Sequence, residues 1–166
     1  KLAEVEELLI EARGALSSGN LQEVMDITSN ISDIIDDHQE TNQLRAEVET
    51  KLKQLAEMKE SIESALEEKR FEDAEVLLTE ALEMSRNDEW LQGKSADLPE
   101  LKITQQVNEL KNEMNTQLES RHLQSALNTV KQILDISSKD ADTQATYKEI
   151  TAKLKNYRFL LKIFLS

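Results

Sequence analysis

The chain holds two imidazoles, His38 and His122. Acid–base or nucleophilic catalysis built on histidine needs a second group that orients the ring and shares its proton. His38 stands among Asp36, Asp37 and Glu40, where a loop between helices is expected, and His122 stands at an expected hairpin turn. Both read as exposed turn residues. Glu119-Ser120-Arg121-His122 has the Glu-x-x-His spacing that sets a carboxylate and an imidazole on one helix face, as carboxylate-bridged di-iron bundles require. Such a centre takes two of these pairs and two further inward glutamates, whereas this chain has one pair, running into a turn. Asp33, Asp36, Asp37 and Glu40 form an acidic cluster, but a calcium loop of the EF-hand type needs a Gly at its sharp bend, and no Gly lies between residues 20 and 92. Gly-rich phosphate loops, Gly-x-Ser-x-Gly elbows and His-Glu-x-x-His are missing from the sequence, and with them the chemistry they serve. There is no Cys, hence no thiol, disulfide or zinc–thiolate chemistry. The residues predict a protein that is not an enzyme and uses no cofactor and no metal.

The elements that carry these residues are predicted to be helices throughout. Three Gly and one Pro in 166 residues are too few for the tight turns of a β-sandwich or barrel or for the phosphate loop of a doubly wound fold. The formal net charge is −13, the wrong sign for a nucleic-acid binder. It is unevenly spread: residues 1–100 carry 10 Lys/Arg and 26 Asp/Glu, and residues 101–166 carry 10 and 7. Such polarity favours a basic partner for the first part and head-to-tail self-association for the whole.

Three segments align without gaps: Leu16 to Val24, Leu66 to Ala74 and Leu118 to Ala126, at offsets of 50 and then 52. Each has an apolar helix end, four turn-like residues, an anchoring apolar residue and a further apolar or small residue three positions on. The match continues at Ile31, Ala81 and Ile133, and at Ile34, Met84 and Ile136, positions that share one face of a second helix. Ser18-Gly19-Asn20 offers a Gly just past one helix end and an Asn able to cap the next. The repeated unit is a helical hairpin.

The run Ala65 to Ala74, continuing through Ala81-Leu82-Glu83-Met84, resembles a tetratricopeptide repeat. In that family a large residue opens the second helix and small residues follow three and ten positions later. Phe71, Ala74 and Ala81 stand at those places, Leu21, Val24 and Ile31 in the first copy, and Leu123, Ala126 and Ile133 in the third. The resemblance implies a degenerate array of stacked hairpins with an extended concave surface that binds proteins or peptides. The family's clamp for acidic peptide termini uses Lys, Arg and Asn on the first helices; residues 41–68 carry Arg45, Lys51, Lys53 and Lys59 amid many Glu, without the order of a clamp.

The repeat is longer than the family's because of its first helices. Leu44, Val48, Leu52, Leu55, Met58, Ile62 and Ala65 form a near-heptad stripe, predicting one long helix from Thr41 to Lys69 whose extra turns seek a neighbour, the next long helix being nearest. Tyr147, Ile150, Leu154, Tyr157, Leu161 and Phe164 predict another. Arg86 to Pro99, with Trp90, Gly93 and Pro99, reads as an irregular break: a short helix near Asp88–Gln92, then a new helix start at Asp97-Leu98-Pro99-Glu100. Trp90 is read as core packing or as a partner anchor.

The organisation expected is therefore all-α, about seven helices: hairpin 1 over residues 1–40, a long helix plus hairpin 2 over 41–87, a connector over 88–99, hairpin 3 over 100–138 and a C-terminal long helix over 139–166. Both ends look internal, so the chain reads as a region of a longer protein. The function expected is a non-catalytic interaction or scaffold module that takes a protein with a basic segment, with Trp90, Arg45, Lys51 and Lys59 as candidate partner-binding residues. The alternative is a coiled-coil-like spacer or self-assembling stalk. Nucleic acid is not an expected partner. The Lys148–Lys162 basic run before Ile163-Phe164-Leu165 would meet a membrane only through a continuation beyond Ser166. The location expected is cytoplasmic, or the cytoplasmic side of a membrane-anchored protein.

Overall fold

The computed structural model describes residues 2–164, and the side-chain surroundings of residues 2–160. Among the described residues there are seven α-helices and no strand: α1 (Leu2–Ser17), α2 (Leu21–Ile34), α3 (Gln39–Glu67), α4 (Phe71–Met84), α5 (Glu89–Glu119), α6 (Leu123–Ile136) and α7 (Ala141–Phe164). The short helices α2, α4 and α6 each have 14 residues, and their starts at Leu21, Phe71 and Leu123 keep the spacing of the sequence repeat.

The three hairpin turns are built alike. Gly19, Lys69 and Arg121 take left-handed φ values of 77°, 59° and 59°. The N–H of the residue after each bonds a carbonyl five positions back: Asn20 to Ala15 at 2.9 Å, Arg70 to Ala65 at 2.8 Å and His122 to Gln117 at 2.8 Å. The left-handed residue itself donates to the carbonyl three back, Leu16, Leu66 or Leu118. This is the Schellman closure, which satisfies the last carbonyls of a helix and reverses the chain. Asn20 holds the N-cap position of α2, but its side chain makes no cap hydrogen bond; its amide donates to Glu23 at 2.9 Å.

The chain forms two compact units, Lys1–Pro99 and Glu100–Ser166. In the first, α2 packs on α1 and α3, and α4 packs on α3. Its core holds the repeat positions Leu21, Val24, Ile31, Phe71, Ala74 and Ala81 together with the α3 residues Leu44, Val48, Leu55, Ile62 and Ala65. The sequence points the α3 stripe at the next long helix; in the structure the two short helices α2 and α4 share it, and Trp90, Leu91 and Leu98 of α5 join the same core. A 14-residue helix spans roughly 21 Å and a 29-residue helix roughly 44 Å, so α2 and α4 together match the length of α3. In the second unit α6 packs on α7. Ala126, Val130, Ile133, Met114 and Ile150 are buried there, with Leu118, Leu123, Tyr147 and Leu154 packed around them.

The connector expected over 88–99 is helical. α5 begins at Glu89 and runs through Gly93 and Pro99 to Glu119, so neither a second start at Asp97 nor a separate short helix exists. The helix is capped by Asp88, whose Oδ1 accepts the Leu91 N–H at 3.1 Å. Leu91 and Leu98, two turns apart on one face, are buried in the first core. Burying two leucines contributes about 3–6 kcal/mol, the same size as the roughly 4 kcal/mol that one Gly and one Pro together cost inside a helix.

The stripe expected on α7 is covered over only part of its length. Thr143 and Ile150 are buried and Tyr147 and Leu154 half-buried, but Tyr157 is 58% exposed. Leu161 and Phe164 lie outside the residues whose side-chain surroundings are described.

Candidate functional site

Two of the four residues expected to bind a partner come together. Lys59, on α3, places its ammonium 5.4 Å from the centroid of the Trp90 ring and 2.6 Å from Asp88 Oδ2. Lys94, one turn beyond Trp90 on α5, stands 5.5 Å from the same ring. Two cations near one indole are each attracted by the ring quadrupole, and Asp88 offsets their mutual repulsion. Trp90 itself is half-buried against the first core, a placement in which an indole can serve both packing and contact. Arg45 and Lys51 are elsewhere on α3. Lys51 pairs with Glu47 at 2.8 Å and Arg45 lies 3.7 Å from Glu49. Between Arg45 and Lys59 the helix rises roughly 21 Å.

The Lys59–Asp88 pair recurs. Lys111, at the equivalent place in the next repeat, lies 2.5 Å from Oδ2 of Asp140, and Asp140 Oδ1 accepts the Thr143 N–H at 2.8 Å. Asp88 and Asp140 thus each cap a long helix while holding a lysine from the preceding one. Gln92 and Gln144 complete the motif by donating to the Arg86 and Ser138 carbonyls, both at 2.7 Å. The hydrogen bond from Lys111, with the Thr143 N–H as second cause, holds the Asp140 carboxyl down at about 2. At the α3–α4 turn Arg70 donates to Glu68 at 2.8 Å and to Asp73 at 2.6 Å; the Arg70 hydrogen bond lowers the Glu68 pKa.

Lys94, Lys111 and Asp140 are not among the residues the sequence singles out, and it does not pair Lys59 with Asp88. The signal it did hold is Ser-x-x-Asp-x-x-x-Gln at Ser85 to Gln92 and again at Ser137 to Gln144, with Lys59 and Lys111 at one fixed separation before each Asp. The first copy differs: His38 is the N-cap of α3, half-buried, and its Nδ1 accepts the Thr41 N–H at 3.4 Å. His38 is therefore a capping residue rather than an exposed loop residue, because its ring turns inward over the first turn of α3. His122 is exposed, at the start of α6.

His122 borders a groove of about 840 Å³ in the second unit. Its apolar lining is Leu118, Leu123, Ile150, Leu154 and Tyr157, and its polar lining includes Arg121 and Lys153. Among the described residues no group of three or more His, Asp or Glu is placed to hold a metal ion, and no helix is long and apolar enough to cross a membrane. No protein-family model matches the chain, and comparison with curated proteins and with solved structures gives no match.

Proposed function

We propose that the chain is a tetratricopeptide-like protein-interaction module whose acidic first unit takes a basic segment of a partner protein. The observation that carries this reading is the pairing of its cations. Arg45, Lys51, Lys59 and Arg70 all stand beside carboxylates of the chain itself, while residues 1–100 hold 26 acidic side chains against 10 basic ones. The surplus negative charge is thus left to attract cations from outside. The hairpin, with its repeated register of buried positions, supports the family resemblance. Burial of the α3 stripe between α2 and α4 supports a module over a coiled-coil spacer, since it leaves that stripe no free seam.

Titration of the full chain with a Lys/Arg-rich peptide of about 20 residues tests the reading, followed by calorimetry and by the fluorescence of Trp90, the sole tryptophan. Binding is expected at about 50 mM salt and should weaken at least tenfold at about 300 mM, where the screening length is roughly halved. Equal binding of an Asp/Glu-rich peptide of the same length that carries no large apolar residue, or no binding at low salt, overturns it.

A further inference from the structure

Counted from their first residues, Gln39 and Ala141, the helices α3 and α7 run in register. Thr41 and Thr143 are both buried, and so are Val48 and Ile150. In this register Tyr157 corresponds to Leu55 and Leu160 to Met58. Leu55 is buried and Met58 is packed against the first core. In α7 the same two positions are 58% and 49% exposed. They belong to the part of a long helix that meets short-helix neighbours in the first unit.

The groove beside them has a counterpart too. Arg121 to Ser125 with Leu154 and Tyr157 line it; the equivalent Gly19 to Glu23 with Leu52 and Leu55 line a smaller groove in the first unit, together with Ser85, Asn87 and Asp88. There the segment just after α4 closes the space. Ser85 Oγ donates to the Gly19 carbonyl at 3.2 Å, and Asn87 donates to Asn20. The chain therefore shows what fits such a place: the end of an amphipathic short helix and the polar loop behind it.

Charge narrows the occupant. Over residues 143–160, α7 carries Lys148, Lys153, Lys155 and Arg158 with Glu149 as its sole acid. Helix α4, which packs on α3 in the first unit, carries five acids and no base. We infer that the Leu154–Leu160 stretch of α7 and the adjoining groove form a docking site for an acidic amphipathic helix of a partner, with large–small–large–small apolar residues spaced as Phe71, Ala74, Leu78 and Ala81 are. The helix lies along Tyr157 and Leu160, and its carboxylates face the α7 cations. This site is independent of the basic-segment reading, which concerns the first unit.

The test uses a fluorescein-labelled synthetic peptide with the sequence Phe71–Asp88, titrated into the full chain and read by anisotropy. Saturable binding is expected, reduced at least tenfold by Leu160→Glu or Tyr157→Glu and weakened by salt. Both residues are exposed, so an unchanged melting curve shows that the variants still fold. Absence of saturation, equal binding of a scrambled peptide, or equal binding by L160E overturns the proposal. So does a sedimentation series in which the chain self-associates through this face, abolished by L160E, and excludes the peptide, because the occupant would then be a second copy. Binding of the Lys/Arg-rich peptide should be unaltered in L160E, so failure of either reading is seen separately.

Discussion

Lys111 of α5 lies 2.5 Å from Asp140, the residue that caps α7. One carboxylate thus ends a loop, starts a helix and ties that helix to the preceding long one. The same triple duty falls to Asp88 with Lys59. The two ties occupy equivalent places in the second and third copies, and the first copy, capped by His38, has none. Loss of the cap costs about 1 kcal/mol, and loss of a partly exposed ion pair up to about 1 kcal/mol more. Asp140→Ala should therefore lower stability by about 1–2 kcal/mol in urea unfolding, and Lys111→Met by less than half of that.

The Asp140 tie should also be visible in acid. Its folded pKa is about 2, below the ordinary 3.8. A depressed carboxyl contributes stability that is full above the unfolded value and is lost as pH falls through the folded one. The stability difference between the parent and Asp140→Asn should be full at about pH 6 and shrink between about pH 4 and pH 2. A carboxyl-carbon NMR titration that places Asp140 near the ordinary value would contradict this.

Equivalent turn positions should respond to substitution with opposite signs. A Cβ at Gly19 would stand 3.1 Å from Arg86 N and 3.2 Å from Met84 O, at φ +77°. Gly19→Ala adds left-handed strain and a tight backbone contact, for about 1–3 kcal/mol of destabilisation. Lys69 and Arg121 hold the same conformation with side chains that are exposed. Lys69→Gly should stabilise by roughly 0.5–1 kcal/mol by removing that strain. Thermal melts of the two variants decide it.

The hairpin register is tested inside α4. Ala74 is fully buried, whereas Val76, two positions on, is 58% exposed. Ala74→Glu forces a carboxylate into the first core and should cost about 3–5 kcal/mol. Val76→Glu should stay within about 0.5 kcal/mol of the parent. Similar melts for both would mean that the face assigned to the core is wrong.

The hairpins are legible in the sequence because their evidence is periodic. Leu21, Phe71 and Leu123, with their partners three and ten positions on, repeat at fixed offsets, and a buried face must repeat if the packing does. Turns at Lys69 and Arg121 can be read without a Gly because the apolar phase breaks there. The ties from Lys59 and Lys111 are not legible. In a chain so rich in carboxylates, a lysine on one long helix looks like any solvated charge until the fold brings the cap of the next helix to it. Trp90 is legible as an amphipathic residue but not as a ring flanked by Lys59 and Lys94, since Lys59 arrives from another helix. The exposed face at Tyr157 looks packed in the sequence because its periodicity matches that of α3; periodicity shows which face is apolar, not whether a neighbour covers it.

Helix α5 departs from the sequence expectation because local propensity and tertiary burial oppose each other there, and the opposition itself can be measured. Gly93 is exposed, and a Cβ on it would meet nothing within 4 Å; Pro99 is exposed inside the helix, where it cannot donate to the Ser95 carbonyl. In a continuous helix both residues are liabilities. Gly93→Ala should then stabilise by about 1 kcal/mol, and Pro99→Ala by up to about 3 kcal/mol. Circular dichroism at 222 nm should hold or rise in each. If α5 instead began anew at Asp97, Pro99 would sit in a first turn, where its fixed φ favours the helix. Its replacement would then be neutral or destabilising. A fall in the melting temperature of Pro99→Ala would restore the break between Gln92 and Asp97, while a rise means that burial of Leu91 and Leu98 carries the helix through.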